Sequence, residues 1–366
     1  MWAGRGAIPV VAALGVLAIP PGPAAAQTGP GPFPISAALP PEARQFDFWV
    51  GEWDVNLRVR QQDGSWADEI QSEAHIFPIL NGKAVLELWN DSRQTGIKGY
   101  SLRYYDPAQD AWVLWLNWPS NNQSGSSSLR GSFRHGRGEF FAGGGGGPIT
   151  RYTFSDITDT SLRWDDAVSR DNGATWSANW IMEFSRTGAK AALSPTGGPA
   201  LTWHDGSRCD APEFRRYEFL AGSRDGEGTG GAPVTIQGHQ ILDGCALITF
   251  AGPSGDAATL FERAWGFSQI TWNARRGAYE MTTLTGGADE VMRVFYTRAD
   301  EETAGDSGAG TPTELVFYEA GRGAALGAPV DRMRIGQTVE GEVIWAHETP
   351  DAEGGWATVW GAVVRY

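Results

Sequence analysis

The chain has 366 residues, long enough for two domains with full hydrophobic cores. Its 49 glycines, 21 prolines and 17 tryptophans, with only 20% charged residues, describe a turn-rich, aromatic-anchored chain and argue against a helical protein. A net charge of -14 and the absence of any Lys/Arg run argue against nucleic acid as a partner and against docking on anionic lipid, because both need clustered cations.

Arg5, the apolar stretch from Ala7 to Ile19 and the small residues Ala24-Ala25-Ala26 predict a cleavable export signal over 1–26, with the mature chain starting near Gln27. The apolar run is too short to span a bilayer, and no later stretch is long enough. The expected location is therefore the periplasm or the medium. Residues 27–43, rich in Pro, Gly and Ala, read as a flexible leader.

From Phe46 onward, short alternating or apolar runs predict strands over 52–60, 70–77, 84–89, 99–105, 112–117, 137–142, 152–157, 161–169 and 176–186. Asp63-Gly64, Asn81-Gly82, Asp106-Pro107, the glycines Gly143 to Gly147, and Asn172-Gly173 supply the turns between them. Evenly spaced strands without a helical period predict a meander closing into a barrel or sandwich. Residues 188–213 break the pattern with Pro195, Gly197-Gly198-Pro199 and Pro212, and read as a linker.

Beyond the linker the pattern returns. Phe46 to Gly51 is answered by Tyr217 to Gly222, Leu80-Asn81-Gly82 by Leu242-Asp243-Gly244, Gly99-Tyr100-Ser101 by Gly266-Phe267-Ser268, and Trp112 by Tyr279. Trp176 and Trp180 are answered by Trp356 and Trp360. Order and spacing are both preserved, which reads as a duplication, with one unit over 44–187 and a diverged copy over 214–366.

The run Phe46-Asp47-Phe48-Trp49-Val50-Gly51-Glu52-Trp53-Asp54-Val55, with the Leu80-Asn81-Gly82 turn and Tyr104-Tyr105-Asp106 ahead of Trp112, resembles an uncharacterised bacterial family of β-rich domains. That family looks related to the calycins, the lipocalins and fatty-acid-binding proteins. The resemblance implies an all-β chain of two tandem antiparallel calycin-like β-barrels of meander topology. It also implies that the indole of Trp53, from Gly51-Glu52-Trp53, closes one barrel end beneath a basic residue of the last strand, here Arg186, as a structural plug. The second copy departs from this: Gly222-Ser223-Arg224 lacks the Trp and Tyr366 replaces the basic residue, so its barrel is expected either to close differently or to have lost its pocket.

Glu73, His75 and Phe77 share one face of a strand, and an inward-facing Glu and His there could act as acid and base or orient a polar ligand group. Phe77, Trp89, Tyr104, Trp112, Leu114, Trp164 and Trp180 join His75 as a candidate ligand-binding set, since a barrel of this size is either filled or holds one small apolar molecule. Ser169-Arg170-Asp171-Asn172-Gly173-Ala174-Thr175-Trp176 resembles the Asp-box of sialidases and is read as a hairpin turn only. Cys209 and Cys245 either pair as a disulfide or remain separate buried thiols. No His-x-His, His-Glu-x-x-His or Gly-x-Ser-x-Gly is present, so no metal is expected and covalent catalysis has no motif. No cofactor is expected, with haem on His75 or another His as an alternative. The leading expectation is an exported binder of a small apolar or amphipathic molecule, without a membrane span. The alternatives are a barrel-hosted isomerase, hydratase or hydrolase using Glu73 and His75, or an envelope interaction module.

Overall fold

A computed structural model describes residues 39–90, 98–118, 123–188, 209, 211–255, 260–274, 276–285, 292–297, 313–319 and 331–365. The expected export signal, most of the leader and linker, and Tyr366 lie outside the described residues.

The chain folds as two closed antiparallel barrels of ten strands each, in strict meander order. The first comprises β1 (Gly51–Val59), β2 (Ile70–Ile79), β3 (Ala84–Asn90), β4 (Lys98–Asp106) and β5 (Ala111–Trp118). It continues through β6 (Gln123–Arg134), β7 (Arg137–Gly143), β8 (Ile149–Ser155), β9 (Ser161–Ser169) and β10 (Ser177–Arg186). The second runs through β11 (Gly222–Gly228), β12 (Pro233–Ile241), β13 (Ala246–Pro253), β14 (Gly266–Asn273) and β15 (Ala278–Thr285). It ends with β16 (Arg293–Thr297), β17 (Thr313–Glu319), β18 (Arg332–Gln337), β19 (Val343–Pro350) and β20 (Trp356–Arg365). Pairing of β1 with β10, and of β11 with β20, closes each sheet on itself and leaves no free edge. Among the described residues no helix is long and apolar enough to cross a membrane.

Alternation along β1 sets the two faces. Trp53, Val55 and Leu57 are buried inside the barrel while Glu52, Asp54 and Asn56 are not. The register carries that inner face across the sheet as Trp53, Ala74, Trp89 and Gly99, and the outer face as Glu52, His75, Leu88, Tyr100 and Asn117. β6 is absent from the strands expected from sequence because Gln123-Ser124-Gly125-Ser126-Ser127-Ser128 looks like a loop. A side chain at Gly131 in that strand would run into the Glu139 carbonyl, so the close approach of β6 and β7 requires glycine there.

One end of the first barrel is stoppered by two 3₁₀ turns, Pro41–Arg44 and Asp47–Trp49. Phe46 is fully buried there, its ring 4.7 Å from Trp112, 4.9 Å from Phe133 and 5.2 Å from Phe154. The Trp112 indole donates to the Glu42 carbonyl and to Gln45 Oε1, both at 3.1 Å. The second barrel repeats the stopper with Pro212–Arg215 and Glu218–Leu220, and Tyr217 meets Tyr279 at 6.3 Å where the first has Phe46 and Trp112. The left-handed turn recurs as well: φ is 53° at Leu80 and 79° at Gly82, then 55° at Leu242 and 80° at Gly244. So does a bulge in the last strand, one residue ahead of Trp180 and of Trp360. Duplication is therefore visible in geometry as well as in residue type.

The outer wall of β2–β5 faces the second barrel instead of water. Phe77, Leu86, Leu88, Tyr100, Leu102 and Tyr104 join Ile248, Phe250 and Phe267 of the second barrel in one buried apolar cluster. Within it Asn117 donates to Tyr100 Oη at 2.9 Å, and Tyr100 donates to Gln269 Oε1 at 2.6 Å. Cys209 and Cys245 form a disulfide that fastens the chain entering the second unit to the start of β13.

Candidate functional site

The first barrel is packed at its stoppered end and hollow toward the other. A cavity of about 210 Å³ lies among Trp89, Trp164, Trp180, Tyr152, Asp166, Leu116 and Met182, and reaches down to Trp49, Glu87, Ser101 and Arg103. The second 3₁₀ turn supplies Trp49, and strand alternation places the others. Glu87 and Trp89 are the inward residues of β3, Ser101 and Arg103 those of β4, Trp164 and Asp166 those of β9, and Trp180 and Met182 those of β10.

The polar floor is a buried network. Ser101 Oγ donates to Glu87 Oε2 at 2.6 Å, Arg103 donates to Ser101 Oγ at 2.6 Å, and the Arg103 guanidinium lies 3.4 Å from Glu87 Oε2. Arg103 also stands 3.8 Å from the centroid of the Trp49 ring. Burial pushes its pKa down to about 10 against the pull of Glu87, so it stays charged at neutral pH. Across the cavity, burial raises Asp166 to about 6, with a hydrogen bond from Asn179 opposing the shift and Asp165 adding to it. Burial also raises the Tyr152 phenol, keeping it neutral.

The aromatic wall is built of rings at steep angles. Trp180 meets Trp89 at 5.9 Å and 66°, and Trp164 at 6.2 Å and 88°, while Tyr152 lies 4.8 Å from Trp164 at 65°.

Of the expected ligand-binding set, Trp89, Trp164 and Trp180 line this cavity. Trp112 and Leu114 point inward but belong to the packed core near the stopper. His75, Phe77 and Tyr104 require correction. All three lie on the outer face, since His75 is in register with Glu52 and Leu88, Phe77 with Leu86, and Tyr104 with Ala84, while Trp53 and Ala74 hold the inner one. Glu73 likewise sits between Asp54 and Asn90 on the outside. Burial lowers the His75 pKa against Glu52 and Glu73, yet neither Glu73 nor His75 reaches the interior as an acid–base pair, and His75 offers no axial ligand to a haem there. Glu87, Ser101, Arg103, Tyr152 and Asp166 escaped the sequence reading. Their signal was present in the lone Glu87 within the apolar run Ala84 to Trp89 and in Arg103 two residues from Ser101.

The Arg186 guanidinium stands 4.0 Å from the Trp53 ring centroid and donates to the carbonyls of Val50 at 2.7 Å and Asp159 at 2.6 Å. Trp53 Nε1 donates to the Trp49 carbonyl at 2.8 Å. In the second copy Arg224, at the position of Trp53, donates to the carbonyls of Phe219, Leu220 and Ala221. That barrel closes differently and still keeps a cavity, of about 70 Å³, among Trp265, Trp345, Trp360, Phe295, Arg293 and His347. Arg293 there is held by Glu319 at 2.6 Å and Asp331 at 2.6 Å. The Asp-box-like segment is a hairpin: Asp171 accepts from the Thr175 amide at 2.8 Å and hydroxyl at 2.6 Å, which pulls its pKa down to about 2.

No protein-family model matches the chain, and no curated protein is significantly similar to it. Similar solved structures include an S-type phycobiliprotein lyase from Guillardia theta, with 11% identity and a TM-score of 0.29, covering 39% of this chain and 91% of that one. A protein of unknown function from the DUF3598 family of Nostoc punctiforme has 9% identity and a TM-score of 0.21, covering 89% of this chain and 99% of that one. A redesigned β-barrel bound to DFHBI has 14% identity and a TM-score of 0.21, covering 38% of this chain and 99% of that one.

Proposed function

We propose that this chain is an exported binding protein that holds one small amphipathic molecule inside its first barrel. The observation that carries this reading is the cavity of about 210 Å³ with an aromatic wall and a charged floor. It equals the volume of about seven liquid waters, enough for a small organic molecule. A purely apolar ligand would leave the buried Asp166 carboxylate without a counterpart, so an amphipathic one fits better. The chain's resemblance to the bacterial β-rich family through Phe46 to Val55 belongs to the same reading, as does export, supported by Arg5, the apolar run and Ala24-Ala25-Ala26.

The test is native mass spectrometry of the full chain after exposure to a lipid and metabolite extract. One adduct per chain is expected, and its loss in Leu116→Trp, which fills the cavity, locates it. A chain that stays bare in every extract overturns the proposal. N-terminal sequencing of the exported protein is expected to begin near Gln27.

A further inference from the structure

We infer that the first-barrel cavity selects an organic monocation, an ammonium or methylated ammonium group held among Trp89, Trp164 and Trp180 with Asp166 as its counter-charge. This inference rests on the binding role proposed above and names the ligand class.

The charges lining the cavity do not cancel. Glu87 and Arg103 neutralise each other across 3.4 Å, and Arg103 is further occupied by Ser101 and covered by the Trp49 ring. Asp166 is the remaining charge, so the lining carries one net negative unit when Asp166 is ionised. Among the described residues the groups that face Asp166 inside the barrel bring no cation, while Arg137, Arg151 and Arg163 act on Asp165 at the outer face. β8 presents Tyr152, β10 presents Asn179 and Trp180, and Asp165 on its own strand adds a second carboxylate. Asp166 Oδ1 is buried and has no hydrogen-bond partner among the described residues. A carboxylate in that position disfavours its own ionised form, and its pKa of about 6 expresses this. A ligand cation supplies the missing charge, whereas an anion would meet a guanidinium whose charge Glu87 already balances, with only its buried Nε lacking a hydrogen-bond partner among the described residues.

The wall suits the same group. Perpendicular indoles 6.2 Å apart form a corner, the third indole and the Tyr152 ring extend it, and aromatic faces attract a cation that has shed its water. A methylated ammonium carries one positive charge under an apolar surface, matching both the rings and Asp166.

The experiment is a titration of the full chain at pH 8 with choline and with its uncharged isostere 3,3-dimethylbutan-1-ol, followed by calorimetry and tryptophan fluorescence. Choline is expected to bind at least about tenfold more tightly than the alcohol. That preference collapses at pH 5, where Asp166 is protonated, and in Asp166→Asn, which keeps the shape of the side chain. Competition by phosphatidylcholine vesicles would place the cation on a lipid head group and lack of competition would make it a free solute; both keep the assignment. Equal affinities in the wild-type chain, a comparison that needs no variant, overturn it. If the neutral probe N-phenyl-1-naphthylamine then still enters and is expelled by Leu116→Trp, the binding role survives while the charge preference falls. If neither enters and the extracts leave no adduct, both fall.

Discussion

Asp166 and His347 occupy the same place in the two barrels. Each faces, across the sheet, the tryptophan that follows the bulge of the last strand, Asp166 opposite Trp180 and His347 opposite Trp360. The duplicated frame has kept both tryptophans and exchanged the ionisable group beside them. Burial and Arg293 lower the His347 pKa, with Asp331 opposing, so the second cavity presents a neutral imidazole where the first presents a carboxylate.

The raised pKa of Asp166 makes stability depend on pH. Below about pH 4 the group is neutral in the folded and unfolded chains alike and has no effect. Between about 4 and 6 the unfolded chain gives up a proton that the folded chain retains, so stability falls as pH rises, and above that window the penalty is constant. Asp166→Asn is therefore expected to raise the melting temperature at pH 7.5, by on the order of 1–2 kcal/mol of stability after allowance for partial solvent access. The advantage vanishes near pH 4. Thermal melts of both chains at a series of pH values check this, and identical pH profiles refute it.

Arg186 and Arg224 cap equivalent carbonyls from different strands. Arg186 reaches Phe48 and Val50 from β10, and Arg224 reaches Phe219, Leu220 and Ala221 from β11. Arg224 is almost wholly buried and Arg186 is partly open to water, so Arg224→Ala strands more acceptors out of reach of solvent. A loss of about 3 kcal/mol is expected for Arg224→Ala and about 1 kcal/mol for Arg186→Ala, read from urea unfolding. The reverse order would contradict this account of the closure.

The disulfide between Cys209 and Cys245 spans a sequence separation of 36. Closing a loop of that size removes entropy worth about 4 kcal/mol from the unfolded chain, an upper figure. Cys245→Ser, or unfolding under reducing conditions, is expected to lower the melting temperature. Mass mapping of the oxidised chain after digestion should recover the linked peptides, and their absence would show that the two thiols stay apart.

Tyr100 links the barrels by accepting from Asn117 and donating to Gln269. Tyr100→Phe leaves both amides underbonded in a dry interface and is expected to cost about 1–3 kcal/mol. Since the lost bond lies between the units, the loss appears as a broadened or split unfolding transition. A sharp, unshifted transition would show that the barrels do not depend on this contact.

The barrels were legible in the sequence because strand alternation and turn chemistry are local. Asp106-Pro107, Asn81-Gly82 and the glycines from Gly143 each mark a bend without reference to anything distant. β6 was not legible, since its run of serines carries no apolar alternation and its Gly131 satisfies a close strand approach that appears only once β7 lies beside it. The facing of Glu73, His75 and Phe77 failed for a related reason. Alternation puts residues on a common face but does not say which face is inside, and here both are buried along β3 and β4. Phe77 and Tyr104 look like core and are core, but of the wall between the barrels. The same double burial hid Glu87 and Arg103, whose partnership requires β3 and β4 to be in register.

Both copies turn corresponding strands, β3–β5 and β13–β15, toward each other, as the protomers of a twofold dimer do. Two such protomers joined in one chain meet at a high effective concentration whatever their surroundings. Association then places no demand on either hollow, which leaves the two free to differ, with an indole and a carboxylate in one where the other holds a guanidinium and an imidazole.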